Sequence, residues 1–142
     1  MNPPEDPTPR VRRFPPPIAE LLGMTLTSSG DGHAIMEMDA SERHTNPMGT
    51  LHGGVLCDLA DAAMGAAFGS TLAEGESFTT LELKINFLKP VWNAHLVARG
   101  RIVRRGRTVS MIECDVTDET GALVARASST CLTLRAERAA GR

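Results

Sequence analysis

The residues best suited to chemistry lie in one segment, HTNPMGTLHGGVLCDLADAAMGAAF, which runs from His44 to Phe68. Two carboxylates, Asp58 and Asp61, interrupt a stretch made otherwise of apolar and small residues. An ionised carboxylate in apolar surroundings costs free energy unless it is paired or used. Asp61 is therefore a candidate acid residue, with a solvated or paired surface carboxylate as the alternative. For Asp58, one turn earlier, we favour a surface carboxylate stabilised by the helix dipole.

The start of the same segment could direct hydrogen-bond donors at a negative charge. Gly53 and Gly54 lack a Cβ, so the backbone there can turn tightly and approach a ligand closely. A helix that begins here points its first free N–H groups outward, which favours an anion or a developing oxyanion. His52 is either a general base or, more commonly, a ring that fixes the loop by hydrogen bonding. Asn46 either holds the turn before a proline or contributes to the site.

The spacing of these groups limits how they can cooperate. Gly53 and Asp61 are eight residues apart in the sequence. On one straight helix that rises about 1.5 Å per residue, they stand about 12 Å apart, too far to serve the same reacting atom. If both are catalytic, each site must combine Gly53 of one subunit with Asp61 of another across a two-fold interface. The catalytic interpretation therefore predicts at least a dimer.

The hydrophobic pattern predicts the elements that position this segment. A long helix is expected from about His52 to Leu72, because apolar residues recur at helical spacing on one face: Val55, Leu56, Leu59, Ala63 and Ala66. Before it, residues 17–23 predict a short helix that caps an edge of the core. Residues 24–28 and 33–39 then predict a hairpin, whose buried face carries Ala34, Met36 and Met38.

Four further strands are predicted after the long helix. In the first, Leu81, Leu83, Ile85 and Phe87 alternate with polar residues, so we expect these four side chains on the buried face. Residues 94–104, 108–117 and 122–134 predict the other three, and we expect all four to form an antiparallel meander. A single long helix can be buried in such a chain only if the sheet wraps around it. The fold class is therefore α+β, with one long central helix and a curved antiparallel sheet of about six strands.

Length and composition narrow the function classes. The 142 residues suffice for one domain with a real core, and a net charge of -2 with a pI near 6.1 argues against a nucleic-acid binder. The three cysteines are widely spaced without a C-x-x-C motif, which fits a reducing cytoplasm rather than a disulfide framework. No apolar run predicts a signal peptide or a membrane span. We expect a cytoplasmic protein with a small-molecule partner and no membrane association.

The segment from His44 to Phe68, followed by the KINFLKP strand, resembles the hotdog-fold acyl-CoA thioesterases of the phenylacetate-degradation (PaaI-like) type. The resemblance covers roughly residues 18–134, and its specificity lies in Asn46, His52-Gly53-Gly54 and Asp61 taken together. Beside a disordered arm (1–17), which its proline-rich composition predicts, and a C-terminal tail (135–142), the resemblance implies a hotdog thioesterase domain over 18–134. It also implies hydrolysis of the acyl-CoA thioester without a metal or redox cofactor, in a homo-oligomer that is usually a dimer of dimers.

The resemblance also implies roles for single residues. Gly53 offers its backbone N–H to the thioester carbonyl, Asn46 helps to hold the same region, and His52 orients the loop. Asp61 either attacks the carbonyl carbon or activates water. A hydroxyl residue early in the next strand positions that water; the distance from Pro90 places it at Thr80, with Thr79 as the neighbour on the opposite face.

Substrate binding is predicted from residue chemistry in the light of this resemblance. Gly54 lies beside Gly53, whose backbone N–H is the predicted donor. Met48 could line an adaptable acyl pocket, although core filling is its simpler role. Arg104 and Arg105 lie in an arginine-rich hairpin that could hold the phosphates of coenzyme A, although solvated arginines are commoner at such tips. Two other functions stay open: a non-catalytic acyl-CoA-binding or regulatory hotdog module, and a dehydratase or hydratase for which His52 is the only candidate base in the motif.

Overall fold

The computed structural model describes residues 15–135, so most of the predicted arm and tail lie outside the described residues. Within these residues the chain forms two α-helices, a short 3₁₀ helix at Glu42–His44, and six strands. The helices are α1 (Pro17–Leu22) and α2 (Gly53–Gly69). The strands are β1 (Met24–Gly30), β2 (His33–Ala40), β3 (Ser77–Phe87), β4 (Ala94–Arg104), β5 (Val109–Thr117) and β6 (Leu123–Leu134). The predicted elements are confirmed, with small differences at their ends.

The six strands form one antiparallel sheet in the order β1-β2-β4-β5-β6-β3, and α2 contacts every strand of it. The helix buries one face, whose members are Leu56, Leu59, Ala60, Ala63, Met64, Ala67 and Phe68. It lies directly against β4, since a Cβ on Gly100 would stand 2.5 Å from the carbonyl oxygen of Ala63. A side chain at Gly100 would therefore force the helix off the sheet. The predicted α+β fold, with one central helix and a six-stranded sheet around it, is confirmed.

The predicted four-strand meander is wrong, because β3 does not pair with β4. Instead β3 pairs with β6 at one end of the sheet, while β4 pairs with β2 of the hairpin. The connection after β3 crosses the sheet end: Leu88 and Lys89 donate backbone hydrogen bonds to Val124 of β6, and Val91 accepts one from Leu51. The meander therefore contains only β4, β5 and β6. The hydrogen bonds to Val124 and from Leu51 hold the β3–β4 connection across the end of the sheet, so β3 and β4 are not neighbours.

A β-bulge in β3 corrects the predicted face of Leu81. The pairing with β6 shifts register between Thr80 and Glu82, which leaves Leu81 as the extra residue, and its surface is 55% exposed. Opposite strands place directly paired residues on the same face. Thr80 pairs with Cys131, and Leu83 with Ser129, so both lie on the face toward α2. The bulge therefore lets Thr80 and the apolar residues after it share one face, which a regular strand cannot do.

Within residues 15–135, neither helix has the length and apolar character that crossing a membrane requires. The edge of the core beside β1 is covered by α1, whose Ala19 is buried, as the pattern of residues 17–23 predicts. The helix ends at Gly23, which has a φ of 77° and so adopts the left-handed conformation that favours glycine.

Candidate active site

One end of the predicted site, called here the acid end, consists of Asp61 and Thr80 at the mouth of a large cavity. The cavity has a volume of about 660 Å³ and lies between α2, β3 and the α1–β1 segment. Asp58 and Asp61 line it from α2, and Thr80 lines it from β3. Asp61, the predicted acid, and Thr80, the predicted water-positioning residue, therefore line the same cavity.

The environment of Asp61 shifts its protonation. Partial burial of the Asp61 carboxyl raises its pKa, and the negative charge of Asp58 raises it further. The residue still reaches solvent in the single chain, so it can exchange protons with water. A carboxyl with a raised pKa is a stronger base, once ionised, than an ordinary aspartate, which suits the predicted role.

Thr80 contacts a side chain of the neighbouring strand β6. Its hydroxyl lies 3.7 Å from Cys131 Sγ, a contact in which either group can donate. Burial raises the pKa of the Cys131 thiol, and so the thiol adds no second negative charge beside Asp61. Next to it, the Ser129 hydroxyl donates to Met64 Sδ at 3.4 Å. The contact with Cys131 was not predicted, because it depends on strand register and leaves no local signal in the sequence.

The other end, called here the donor end, consists of the loop from Asn46 to Gly53. The Asn46 side chain organises this loop: Oδ1 accepts from the backbone N–H of Met48 at 2.9 Å and of Thr50 at 3.2 Å. Its amide nitrogen donates to Thr50 Oγ1 at 2.7 Å. These bonds use both acceptor positions of Oδ1 but only one of the two amide protons. Asn46 therefore fixes the loop and keeps one N–H to donate elsewhere.

His52 is the N-cap of α2. Its Nδ1 accepts from the backbone N–H of Gly54 at 2.9 Å, and its own backbone N–H donates to the carbonyl of His44 at 2.9 Å. A neutral imidazole that accepts through Nδ1 carries its proton on Nε2 and has no lone pair left for a general base. The geometry thus favours the loop-fixing role over the basic one. A Cβ on Gly54 would approach His52 Nδ1 to 3.0 Å, so glycine there leaves space for the cap.

Gly53 is the first residue of α2, and its backbone N–H has no acceptor within residues 15–135. Such an N–H at a helix start is suited to bind a developing oxyanion. A Cβ at this position would lie 2.8 Å from Phe87 Cζ at the end of β3, so the exposed Phe87 ring would have to move. Gly53 and Asn46 line a second cavity of about 400 Å³ together with Phe87. The contribution of Phe87 was missed, since residues 53 and 87 are distant in sequence.

The acid end and the donor end do not meet within one chain. The cavity at the acid end and the cavity at the donor end share no lining residue. Gly53 begins α2 and Asp61 lies eight residues along it, a separation of about 12 Å at 1.5 Å per residue. The separation that the sequence spacing predicts is thus present in the folded chain.

The remaining predicted residues line neither of these two cavities. Met48 belongs to the loop of the donor end, but its side chain is 78% exposed. Arg105 lies against the surface of the fold: its guanidinium lies 4.8 Å over the Phe68 ring, and its Nε donates to Thr71 Oγ1 at 3.1 Å. Arg104 lines a separate cavity of about 630 Å³ together with residues of β3, β5 and β6. Phosphate binding by the two arginines stays a prediction, and the contacts of Arg105 favour a structural role for it.

No set of three or more His, Cys, Asp or Glu side chains in the described part of the chain is arranged to hold a metal ion. The two ends of the site offer groups of different kinds. These are a carboxylate and a hydroxyl at one end, and backbone N–H groups at the other.

Comparisons with known proteins agree with this architecture. The model of the thioesterase superfamily matches residues 48–125. Human acyl-coenzyme A thioesterase 13 is 31% identical over 109 residues, which cover 75% of this chain and 77% of that protein. A thioesterase from Haemophilus influenzae has a similar crystal structure, with a TM-score of 0.79 and 26% identity over 83% of this chain and 82% of that one. The structure of a mutant of the phenylacetic acid degradation protein PaaI from Thermus thermophilus gives a TM-score of 0.78 and 27% identity, over 85% of this chain and 100% of that one. The chain therefore belongs to the thioesterase superfamily, with the hotdog fold that its sequence predicts.

Proposed function

We propose that this protein hydrolyses the thioester of acyl-coenzyme A to a carboxylic acid and free coenzyme A, at a site shared between two subunits. The observation that carries the proposal is the division of the site: Asp61 and Thr80 line one cavity, while Asn46 and Gly53 line another. Each end supplies half of what thioester hydrolysis needs, and a second copy supplies the other half. The related human acyl-coenzyme A thioesterase supports this choice of substrate.

The acid end delivers oxygen to the thioester carbon. In one route, the Asp61 carboxylate takes a proton from water while the water oxygen bonds to the carbonyl carbon, and Thr80 positions that water. In the other route, an Asp61 oxygen itself attacks, the C–S bond breaks, and water then hydrolyses the mixed anhydride. In both routes the coenzyme A thiolate leaves with the C–S electron pair and takes up a proton. Both routes require Asp61 to be ionised.

The donor end stabilises the negative charge on the carbonyl oxygen. As the carbon becomes tetrahedral, the oxygen gains charge and accepts from the free N–H of Gly53 at the positive end of α2. The loop that holds this N–H is fixed before substrate arrives, by the bonds of Asn46 and by the His52 cap. Removal of one such donor typically lowers kcat by about 10² to 10³.

The edge strand β3 offers a way to bring the two ends together. Thr80 lies near its start and Phe87, which packs on Gly53, at its end. At about 3.3 Å per residue these two positions are about 23 Å apart along one strand. If β3 pairs antiparallel with β3 of a second copy around its middle, the Thr80 end of one chain lies beside the Phe87 end of the other. We infer a homodimer at least; a dimer of dimers and a cytoplasmic location stay predictions.

The proposal is tested by measuring thiol release from a panel of acyl-CoAs. Wild-type protein should turn over at least one of them, and Asp61→Asn should abolish turnover without changing fold or assembly, because the amide has the same shape but no negative charge. Asp58→Asn is the matched control and should change turnover at neutral pH little. Acyl-CoA binding without any thiol release by the wild type would instead identify a non-catalytic module.

A further inference from the structure

The cavity at the acid end continues well beyond Asp61, along the side of α2 that does not pack on the sheet. Its helical wall consists of small residues, Ala62, Gly65, Ala66 and Gly69, at positions three and four apart. Small side chains leave an open channel between α2 and the facing residues. Phe78 of β3 closes one flank, where a Cβ on Gly65 would come within 3.5 Å of the ring.

The opposite wall is apolar and comes from the first part of the chain. Ile18 precedes β1 in α1, Met24 and Leu26 belong to β1, and Met36 belongs to β2; all four line the cavity. Ile18 is 44% exposed, so the channel keeps an opening at the surface beside α1. A channel of this kind binds a flexible hydrocarbon through burial of apolar surface rather than through directed hydrogen bonds.

The far end of the channel is polar and exposed to solvent. Ser70, just after α2, accepts from the backbone N–H of Gly32 in the β1–β2 turn at 2.9 Å and donates to the Ala67 carbonyl at 2.7 Å. These bonds tie the hairpin turn to the end of the helix, and both Ser70 and Gly69 line the cavity. The apolar lining of the channel thus runs from Asp61 to Gly69 and ends at Ser29 and Ser70, two polar residues exposed to solvent.

The length of the channel follows from the helix. Gly69 lies eight residues after Asp61, which is about 12 Å at 1.5 Å per residue. An extended chain advances about 3.3–3.6 Å for every three bonds, so about 12 Å accommodates about ten bonds. Because the carbonyl carbon must lie at Asp61, this distance sets the number of carbons that can follow it.

We propose that this channel binds the acyl group, and that it favours linear chains of up to about ten carbons, because methylenes beyond Gly69 leave the apolar lining. The inference rests on the proposed thioesterase function and specifies its substrate class. Ala66 and Gly69 are the residues that set this length, because a larger side chain at either position fills part of the channel that the acyl chain would occupy. Ala66 lies about 7.5 Å from Asp61 along the helix, which corresponds to about six bonds.

The test is the chain-length profile of kcat/KM, from butyryl-CoA to palmitoyl-CoA with phenylacetyl-CoA included. For the wild type, kcat/KM should rise about fourfold per added methylene and stop rising near ten carbons. Ala66→Leu should lower the decanoyl-to-butyryl ratio of kcat/KM by at least about tenfold, and move the maximum to about six carbons. Gly69→Leu should cause a smaller shift, to about eight carbons, since it fills only the far end.

Two controls keep the test interpretable. A Cβ on Gly69 meets only Phe78 Cε1 at 3.9 Å, an ordinary contact, so the leucine there enters open space rather than the core. Ala73→Leu adds the same side chain at an exposed position outside the cavity and should leave the chain-length profile unchanged. Circular dichroism and sizing of each variant establish that it folds and assembles like the wild type.

The outcomes separate the channel from the catalytic proposal. If the wild type releases thiol but both leucine variants keep its chain-length profile, the acyl group lies elsewhere, and the thioesterase function stands. A preference for phenylacetyl-CoA over every linear chain would also overturn the proposed substrate class. If no acyl-CoA is hydrolysed, calorimetric Kd values for butyryl-, decanoyl- and palmitoyl-CoA decide the matter. A Kd that falls as the acyl chain lengthens to ten carbons in the wild type, but not in Ala66→Leu, supports the channel. A Kd that does not change with chain length rejects it.

Discussion

The donor end and the acid end of this site are built by different kinds of contact. At the donor end, Asn46 bonds to Thr50 and His52 bonds to Gly54, all within a few residues of one another. At the acid end, Asp61 of α2 and Thr80 of β3 line one cavity, and Thr80 contacts Cys131 of β6, 51 residues away. The side-chain bonds that shape the donor loop are local, whereas the acid end exists only when the sheet has assembled.

Because of this difference, we expect substitutions at the donor end and at the acid end to affect different properties of the protein. Substitutions at the donor end should weaken the loop and the start of α2, and therefore affect stability as well as activity. Substitutions at the acid end should affect catalysis and its pH dependence, because the side chains there face a cavity and contribute little to packing. The division also means that either end can be supplied by a different chain.

The largest expected effect is the rescue of two inactive variants by each other. Asp61→Asn removes the acid, and Gly53→Pro removes the donor N–H at a helix position that tolerates proline. Because a side chain at Gly53 would contact Phe87, the second chain also carries Phe87→Ala. After co-refolding at equal amounts, half of the dimers are mixed and each has one intact site of two, so about a quarter of wild-type activity should return.

Phe87→Ala alone is the matched control and should fold, assemble and retain activity. Sizing and circular dichroism must show that both inactive chains fold and exchange subunits. If they do and no activity returns, the two ends act within one subunit, and the shared site is disproved.

The next effect is at Thr80. Thr80→Ala should lower kcat by about 10- to 100-fold while it changes KM less, because a hydroxyl that positions water acts mainly in the transition state. Thr80→Ser keeps the hydroxyl and should restore most of kcat. Thr79→Ala, on the opposite face of β3, should have little effect on steady-state kinetics. A larger loss of kcat for Thr79→Ala than for Thr80→Ala would mean that the water is positioned from the opposite face of β3.

The pH profile tests the electrostatics of the acid end. Burial, followed by the charge of Asp58, raises the pKa of Asp61 above the ordinary aspartate value. Because Asp61 must be ionised, kcat/KM should fall on the acid side at a higher pH than an ordinary aspartate would give. Asp58→Asn removes the like charge and should move this limb to lower pH, while the part caused by burial remains. An unmoved or upward-shifted limb would mean that Asp58 does not act on the catalytic group.

The smallest effect should be on stability at the donor end. His52→Ala removes the side chain that caps α2 and should lower the free energy of unfolding by about 1 kcal/mol. Urea denaturation of the assembled protein at fixed concentration measures this loss. His52→Asn supplies another good capping acceptor and should recover much of it, with activity following the recovered stability. If His52→Asn is as stable as the wild type but inactive, the imidazole has a chemical role that the cap does not explain.

Much of this architecture was predictable because its signals are local. The alternation of Ala34, Met36 and Met38 predicted the buried face of β2, and the glycines and Asp61 predicted where the catalytic segment lies. The separation of Gly53 from Asp61 followed from the helix rise alone. Such features depend on residues close in sequence, where periodicity and turn chemistry are informative.

The strand order and the face of Thr80 were decided by the tertiary structure. An alternating pattern gives each strand two faces but does not say which strand it pairs with, so β3 was predicted beside β4 and lies beside β6. Nor does the pattern reveal a bulge, since the extra residue at Leu81 is defined only by the partner strand. The sequence by itself determined the elements, and it predicted the candidate catalytic segment and a site shared by two subunits. Long-range pairing decided that Thr80 lines one cavity with Asp61, that Phe87 lies against Gly53, and that this cavity continues from Asp61 along α2.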